Sequence, residues 1–438
     1  MQPQNEILDN NLGTGFQKND PKIINGWAFF DCANSAYNLV IGTAIFPAYF
    51  LSIAPDTISF AGLNIPDSSL LSYSLSLAFL LLTIVLPILS GIADYSGRRK
   101  TFMRLFTTFG AIACVGMFFF KSPTDLWLGV SAYICAAIGY AGSLVFYNSY
   151  LPVIATEDMY DKVSAKGFSY GYIGSTFLLI INLLMIQLSP DNYKGLAAQL
   201  SFLMVGIWWL AFSQITYKWL PNDETGKPMT NLLTRGYKEL YKTWQNIREY
   251  PVITRFLAAF FFYNAGVQAV LYLATVFADK ELHFKSAELI ILVLILQVVA
   301  AIGAWLFAKI SDAKGNKFAL VILLIGWAAI CVIGFYLTGK TAFYALGGLL
   351  GMVMGGIQSL SRSTYSKLLP ENVTDTTAFF SFMDVPDKLS VILGTFTFGF
   401  VGQLMGSIRY SLLALAVYFV IGLLLLGTIS IKDKKILI

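Results

Sequence analysis

Five residues near the start of the chain, Asp31, Asn34, Ser35, Asn38 and Gly42, fall on one face when residues 26–51 are wound as a helix. One acid beside three uncharged hydrogen-bonding side chains can hold a polar molecule, and the acid can carry a proton. A second cluster, Asp384, Asp387 and Lys388, flanks Pro386. Asp384 and Lys388 are four residues apart and can pair along a helix. Both clusters lie inside apolar runs, where a charge is costly and needs a partner. The first stripe is expected to face a water-filled cavity, with interhelical hydrogen bonding as the other reading. For the second cluster the readings are an ion pair at a gate, contact with a solute, and snorkelling of the lysine.

The chain is written twice. Asp94-Tyr-Ser-Gly97-Arg98-Arg99-Lys100 returns as Asp312-Ala-Lys-Gly315-Asn-Lys317, so Asp94 and Asp312 are 218 residues apart. The same offset maps Tyr147, Leu151 and Pro152 onto Tyr365, Leu369 and Pro370. In each loop the acid ends one helix, the glycine permits a tight turn, and the basic residues stand at a membrane surface. The acid can pair with a base or with a helix N-terminus, latching the structure at its inner face. A turn with a positive anchor is the plainer reading. The offset also maps 384–388 onto 166–170, near the inner end of the fifth apolar run, which favours the gate reading there.

The positioning elements must be membrane helices. Hydrophobic residues make up 56% and charged residues 13% of 438 residues, with mean hydropathy +0.66. A soluble domain carries roughly a quarter charged residues. Twelve spans of roughly 20 residues or more fall near 26–51, 69–93, 101–121, 125–150, 164–188, 197–220, 252–278, 286–311, 318–338, 341–365, 376–405 and 408–431. The expected fold is all-α, two pseudo-symmetric six-helix bundles at 26–220 and 252–431. These are joined by a linker at 221–251 and flanked by tails at 1–25 and 432–438. No cleavable signal peptide is expected, because the first apolar run is too long for one.

Orientation follows from charge. Of 30 Lys and Arg, Lys388 lies within a span, and six fall on one side: Lys121, Lys194, Lys280, Lys285, Lys340 and Arg409. The rest place both termini and the linker in the cytoplasm. Within the linker, Tyr237, Leu240, Tyr241, Trp244 and Ile247 recur at helical spacing among basic residues. That segment reads as an amphipathic helix on the inner membrane surface, with a plain tether as the alternative. The net charge of +5 is spread through short loops and gives no nucleic-acid signal. Cys32, Cys114, Cys135 and Cys331 lie in apolar runs and read as packing residues, not metal ligands or disulfides.

The loop at Asp94 resembles the signature between the second and third spans of the major facilitator superfamily, with Ser90 at its first glycine position. Three further stretches narrow the resemblance to the vacuole-effluxer branch, which has many bacterial members. They are Gly26-Trp-Ala-Phe-Phe-Asp31-Cys-Ala-Asn34-Ser35 with Ile45-Phe-Pro47-Ala-Tyr49-Phe, Leu151-Pro152 through Gly174, and Gly355-Gly-Ile-Gln358-Ser-Leu-Ser361-Arg362 through Pro370. Two positions depart from that pattern. Ala265 stands where the family usually has Asp, and Asp387 where it more often has Gly. The resemblance implies that spans one, four, seven and ten line a central cavity. Tyr140, Tyr147, Asn148, Tyr263, Asn264, Gln268, Gln358 and Arg362 then join the stripe of span one as candidate solute or coupling residues. It also implies alternating access and export of small solutes, with amino acids the first guess.

A proton is the expected coupling ion, with Asp31 its carrier and Arg362 a candidate opposing base. Uniport of another solute, and a non-transporting receptor or lipid-handling protein on the same fold, are the alternatives. The expected setting is a bacterial inner membrane, as a monomer, with no cofactor. Gly167-Phe-Ser169-Tyr-Gly171 matches a nucleophile elbow but begins an apolar helix, and the one histidine, His283, lies in an outer loop. No phosphate loop is present, so an energy source other than ATP is expected. Asn372-Val-Thr374 matches a glycan acceptor but falls in a loop expected inside.

Overall fold

The computed structural model describes residues 16–60, 63–222, 232–370 and 375–429. The Asn372–Thr374 match and the tail at 432–438 lie outside them. The twelve expected spans are twelve long helices. Span one is Pro21–Ile53, span two Asp67–Ser96, span three Arg99–Met117 and span four Leu126–Asn148. Span five is Tyr160–Leu188, span six Lys194–Trp219 and span seven Pro251–Leu282. Span eight is Ser286–Lys314, span nine Asn316–Tyr336 and span ten Lys340–Leu368. Spans eleven and twelve are Thr376–Met405 and Ile408–Gly427. Ten of them are long and apolar enough to cross a membrane by length and composition alone. Spans three and seven complete the twelve.

Several ends differ from the sequence reading because caps, not hydropathy, set them. Span one starts at Pro21, where the Asp20 side chain accepts from Lys22 N at 2.7 Å and proline takes the first helical position. Between spans one and two, Thr57–Phe60 (β1) pairs antiparallel with Leu63–Pro66 (β2), Ile58 opposite Ile65. The linker holds a helix, Leu232–Glu249.

Packing repeats with the sequence. In the first half span one packs on six, three on six, two on four and three on four. In the second half seven packs on twelve, nine on twelve, eight on ten and nine on ten. Each pair is the earlier one advanced by six spans. Span ten crosses span eight through its glycine face: a Cβ on Gly351 would stand 2.5 Å from Leu296 O, and one on Gly347 2.6 Å from Leu292 Cδ1. Small residues at these crossings let the backbones touch.

The chain divides into two compact units. One takes in residues to Thr156, Phe177–Thr243 and Thr374–Ser381; the other takes in Glu157–Thr176, Trp244–Val373 and Phe382 onward. Span five therefore begins in the second unit and ends in the first, while span eleven does the reverse.

Candidate functional site

In the first unit, span one is not a regular α-helix throughout. Residues Tyr37–Ala44 form a π-helix within it. Such widened turns mark functional positions more often than ordinary ones. The polar stripe runs into it: Asp31, Asn34 and Ser35 precede it, and Asn38 and Gly42 lie within it. Asp31 is buried and accepts from the Tyr147 hydroxyl at 2.7 Å. Tyr147 is held from both sides: its carbonyl takes Trp27 Nε1–H at 3.0 Å, and its ring stacks on Trp27 at 4.4 Å. Asn34 is buried, and its Oδ1 takes the Ser143 hydroxyl at 3.4 Å. Ser35 is half-buried and Asn38 exposed. Tyr140 lies against Tyr37, ring centroids 5.1 Å apart. Asn34 Nδ2 and the Tyr37 hydroxyl are buried without a hydrogen-bond partner among the described residues. A buried donor left unmet costs roughly 1–3 kcal/mol.

In the second unit the polar residues of spans seven and eleven meet. Lys388 Nζ lies 3.0 Å from Asp384 Oδ1 and 2.8 Å from Asp387 Oδ2. Asn264 Nδ2 donates to Asp387 Oδ1 at 2.8 Å and to Ser390 Oγ at 2.6 Å. The four-residue spacing foretold the first contact; the departure at Asp387 makes it a triad. Tyr263 is buried and shares a 2.8 Å hydrogen bond with Ser361. Gln268 is half-buried. Gln358 accepts from the Tyr172 hydroxyl.

Arg362 is buried in the second unit. Its Nε donates to Ser164 Oγ at 2.9 Å, its Nη2 to Ser164 O at 2.8 Å, and its guanidinium covers the Phe168 ring at 4.2 Å. Planar donors and a cation face are thus already engaged within the second unit.

The repeated loops are both glycine turns. Gly97 has φ 62 and ψ 39, the left-handed cap of span two, and Gly315 has φ 87 and ψ 154. The Asp94 side chain is only 4% exposed. It turns inward to the start of span eleven, accepting from Ala378 N at 2.7 Å and Thr377 N at 3.3 Å. That is a carboxylate on a helix N-terminus, where free amides and the dipole favour it. Arg99 stands 3.6 Å away, donates to Ser149 O at 3.2 Å and lies over the Tyr150 ring. Arg98 is exposed. Lys100 Nζ donates to Leu220 O, closing the end of span six, and Lys317 Nζ donates to Gly427 O, closing span twelve.

Asp312 makes a different contact from Asp94. It forms a 3.1 Å surface pair with Lys162. The buried acid there is Asp161, fully enclosed, taking Asn316 Nδ2 at 2.8 Å and Lys367 Nζ at 2.7 Å. Sequence reasoning missed it because Asp161 precedes the expected start of span five and has no counterpart under the 218-residue offset. Its signal was the run Asp158 to Lys162, charged residues opening a helix. A separate void lined by Val270, Phe277, Leu296, Cys331, Phe343 and Leu350 is apolar and holds none of these groups. Among the described residues no His, Cys, Asp and Glu group is arranged to hold a metal.

With this geometry in hand, the likenesses to known proteins are consistent. A family model described as "Vacuole effluxer Atg22 like" matches residues 19–436. An uncharacterized MFS-type transporter, YxiO of Bacillus subtilis, is 32% identical over 92% of this chain and 94% of its own. Autophagy-related protein 22 of Saccharomyces cerevisiae is 25% identical over 85% of this chain and 80% of its own. In fold, the chain resembles the proton:xylose symporter XylE (TM-score 0.72, 13% identity, 92% of this chain and 94% of that one). It also resembles the E. coli fucose:proton symporter FucP (TM-score 0.67, 14% identity, 93% and 97%).

Proposed function

The chain belongs to the family of vacuole effluxers like Atg22, and on that premise we propose that it exports small polar solutes, amino acids first, coupled to protons. It is a multi-pass membrane transporter of the MFS type, not an enzyme. Export is supported by the likeness to vacuole effluxers and proton coupling by the two proton symporters that share the fold. The observation that carries the reading is the pair of Asp31 and Tyr147, on a span whose Asn34 Nδ2 and Tyr37 hydroxyl are unmet among the described residues. A carboxylate held by a phenol inside a membrane bundle can give up or take a proton as its surroundings change.

Asp94 acts as the inner latch. Its hold on the first-turn amides of span eleven must break whenever that helix moves, so it sets the balance between states without touching solute. The Asp161–Asn316–Lys367 network does the same for the start of span five. The proposed setting is a bacterial inner membrane, as a monomer with its termini and linker in the cytoplasm; the positive bias supports that orientation and the Bacillus relative supports that membrane.

The test is uptake into vesicles reconstituted with the purified protein, each labelled amino acid offered with and without a pH gradient. Gradient-dependent accumulation supports the reading. Equilibration that ignores the gradient means uniport, and no uptake of any amino acid refutes the solute class.

A further inference from the structure

The linker helix was read with one apolar face, and the structure divides it into two. At about 100° per residue, Thr243 and Ile247 fall together with Leu240 near them. Tyr237, Tyr241, Trp244 and Arg248 fall on the adjacent face, about 100° round, with Lys238 and Lys242 beyond them. The first face is buried: Thr243 is fully enclosed, and its hydroxyl donates to Asp375 Oδ2 at 2.7 Å. Asp375 precedes span eleven and takes Phe379 N at its carbonyl, 3.2 Å away. One residue along the linker helix, the Trp244 ring lies 5.8 Å from Phe382. The linker helix is therefore fastened to the first two turns of span eleven, the same turns whose Thr377 and Ala378 amides Asp94 holds.

The second face is open. Tyr237 is 63% exposed, Tyr241 54% and Trp244 46%, and Lys238, Lys242 and Arg248 are exposed too. Amphipathic rings with a basic border match the interface of a bilayer that carries negative headgroups. Arg248, among the rings, adds the planar donors that suit a phosphate. We propose that this face docks on anionic phospholipid and that Thr243, through Asp375, passes the docking on to the first turn of span eleven. Lipid charge then stabilises the latched state. The consequence is separate from solute recognition and is read without knowing the solute.

The experiment is hydrogen exchange of the full-length protein in nanodiscs of phosphatidylcholine, with and without phosphatidylglycerol. Phosphatidylglycerol should slow exchange in both 237–249 and 376–382. Each basic residue near such a surface contributes about fivefold in binding, so Lys238→Gln with Lys242→Gln and Arg248→Gln should erase the slowing in both segments. Thr243→Val should keep the lipid effect on 237–249 and lose it on 376–382, while Thr243→Ser, which retains the hydroxyl, should behave like the parent. Equal exchange in the two lipids, or a phosphatidylglycerol effect that survives the triple substitution, overturns the docking. An unchanged response of 376–382 in Thr243→Val overturns the coupling.

Discussion

Removing Lys388 should harm the protein more than removing either of its acids. Lys388 is 7% exposed in its side chain and stands 3.0 and 2.8 Å from Asp384 and Asp387. At an effective dielectric of about 20, each attraction is worth roughly 5 kcal/mol before desolvation is subtracted, and most of that is cancelled by taking the charges out of water. Lys388→Met leaves two carboxylates facing each other, with only Asn264 to help Asp387. Stranding a buried charge in this way costs about 3–5 kcal/mol. Asp384→Asn leaves the Asp387–Lys388 pair intact and should cost about 1 kcal/mol. Replacing all three by Asn, Asn and Met removes the stranded charges and should recover most of the loss. The assay is a mutant cycle on membrane expression and apparent melting temperature in detergent, with coupling between positions 384 and 388 of about 2 kcal/mol. Strict additivity, or a Lys388→Met protein as stable as the Asp384→Asn protein, refutes the reasoning.

The two glycine turns should differ in what they accept. Gly97, with φ 62 and ψ 39, suits Asn, so Gly97→Asn should fold with a loss under about 1 kcal/mol. Gly315, with φ 87 and ψ 154, lies where essentially only glycine goes, and Gly315→Asn should cost about 1–3 kcal/mol; equal thermal stability of the two variants would contradict this. Asp94→Asn weakens the charge on the span-eleven amides, worth up to about 2 kcal/mol in a partly buried site. Transport rate should fall with solute affinity near normal, and exchange at Thr377 and Ala378 should quicken. A large loss of affinity at an unchanged turnover would reassign Asp94 to the solute path.

The sequence carried the architecture well, because membrane helices must each be long and apolar and the repeat exposes itself at fixed offset. It also carried the Asp384–Lys388 pair, since spacing on one helix decides it, and it offered a base and a helix N-terminus as partners for Asp94, which meets both. Contacts between distant segments were not legible. Nothing near Arg362 says that Ser164 and Phe168 will claim its guanidinium, and nothing near Asp312 says that Asp161 will take the buried place. The π-helix at Tyr37–Ala44 has no composition of its own. On the linker helix, periodicity grouped Ile247 with Trp244. Burial separates them, because the helix meets protein on one side and is open on the other.

The central claim is that the first unit's buried acid carries the coupling proton, and Asp31→Asn tests it most directly. The substitution keeps size and a hydrogen bond with the Tyr147 hydroxyl but removes the exchangeable charge. In reconstituted vesicles the variant should no longer accumulate amino acid under a proton gradient, while still exchanging internal for external solute at equal pH. A variant that accumulates solute under the gradient as the parent does would reduce Asp31 to a packing residue.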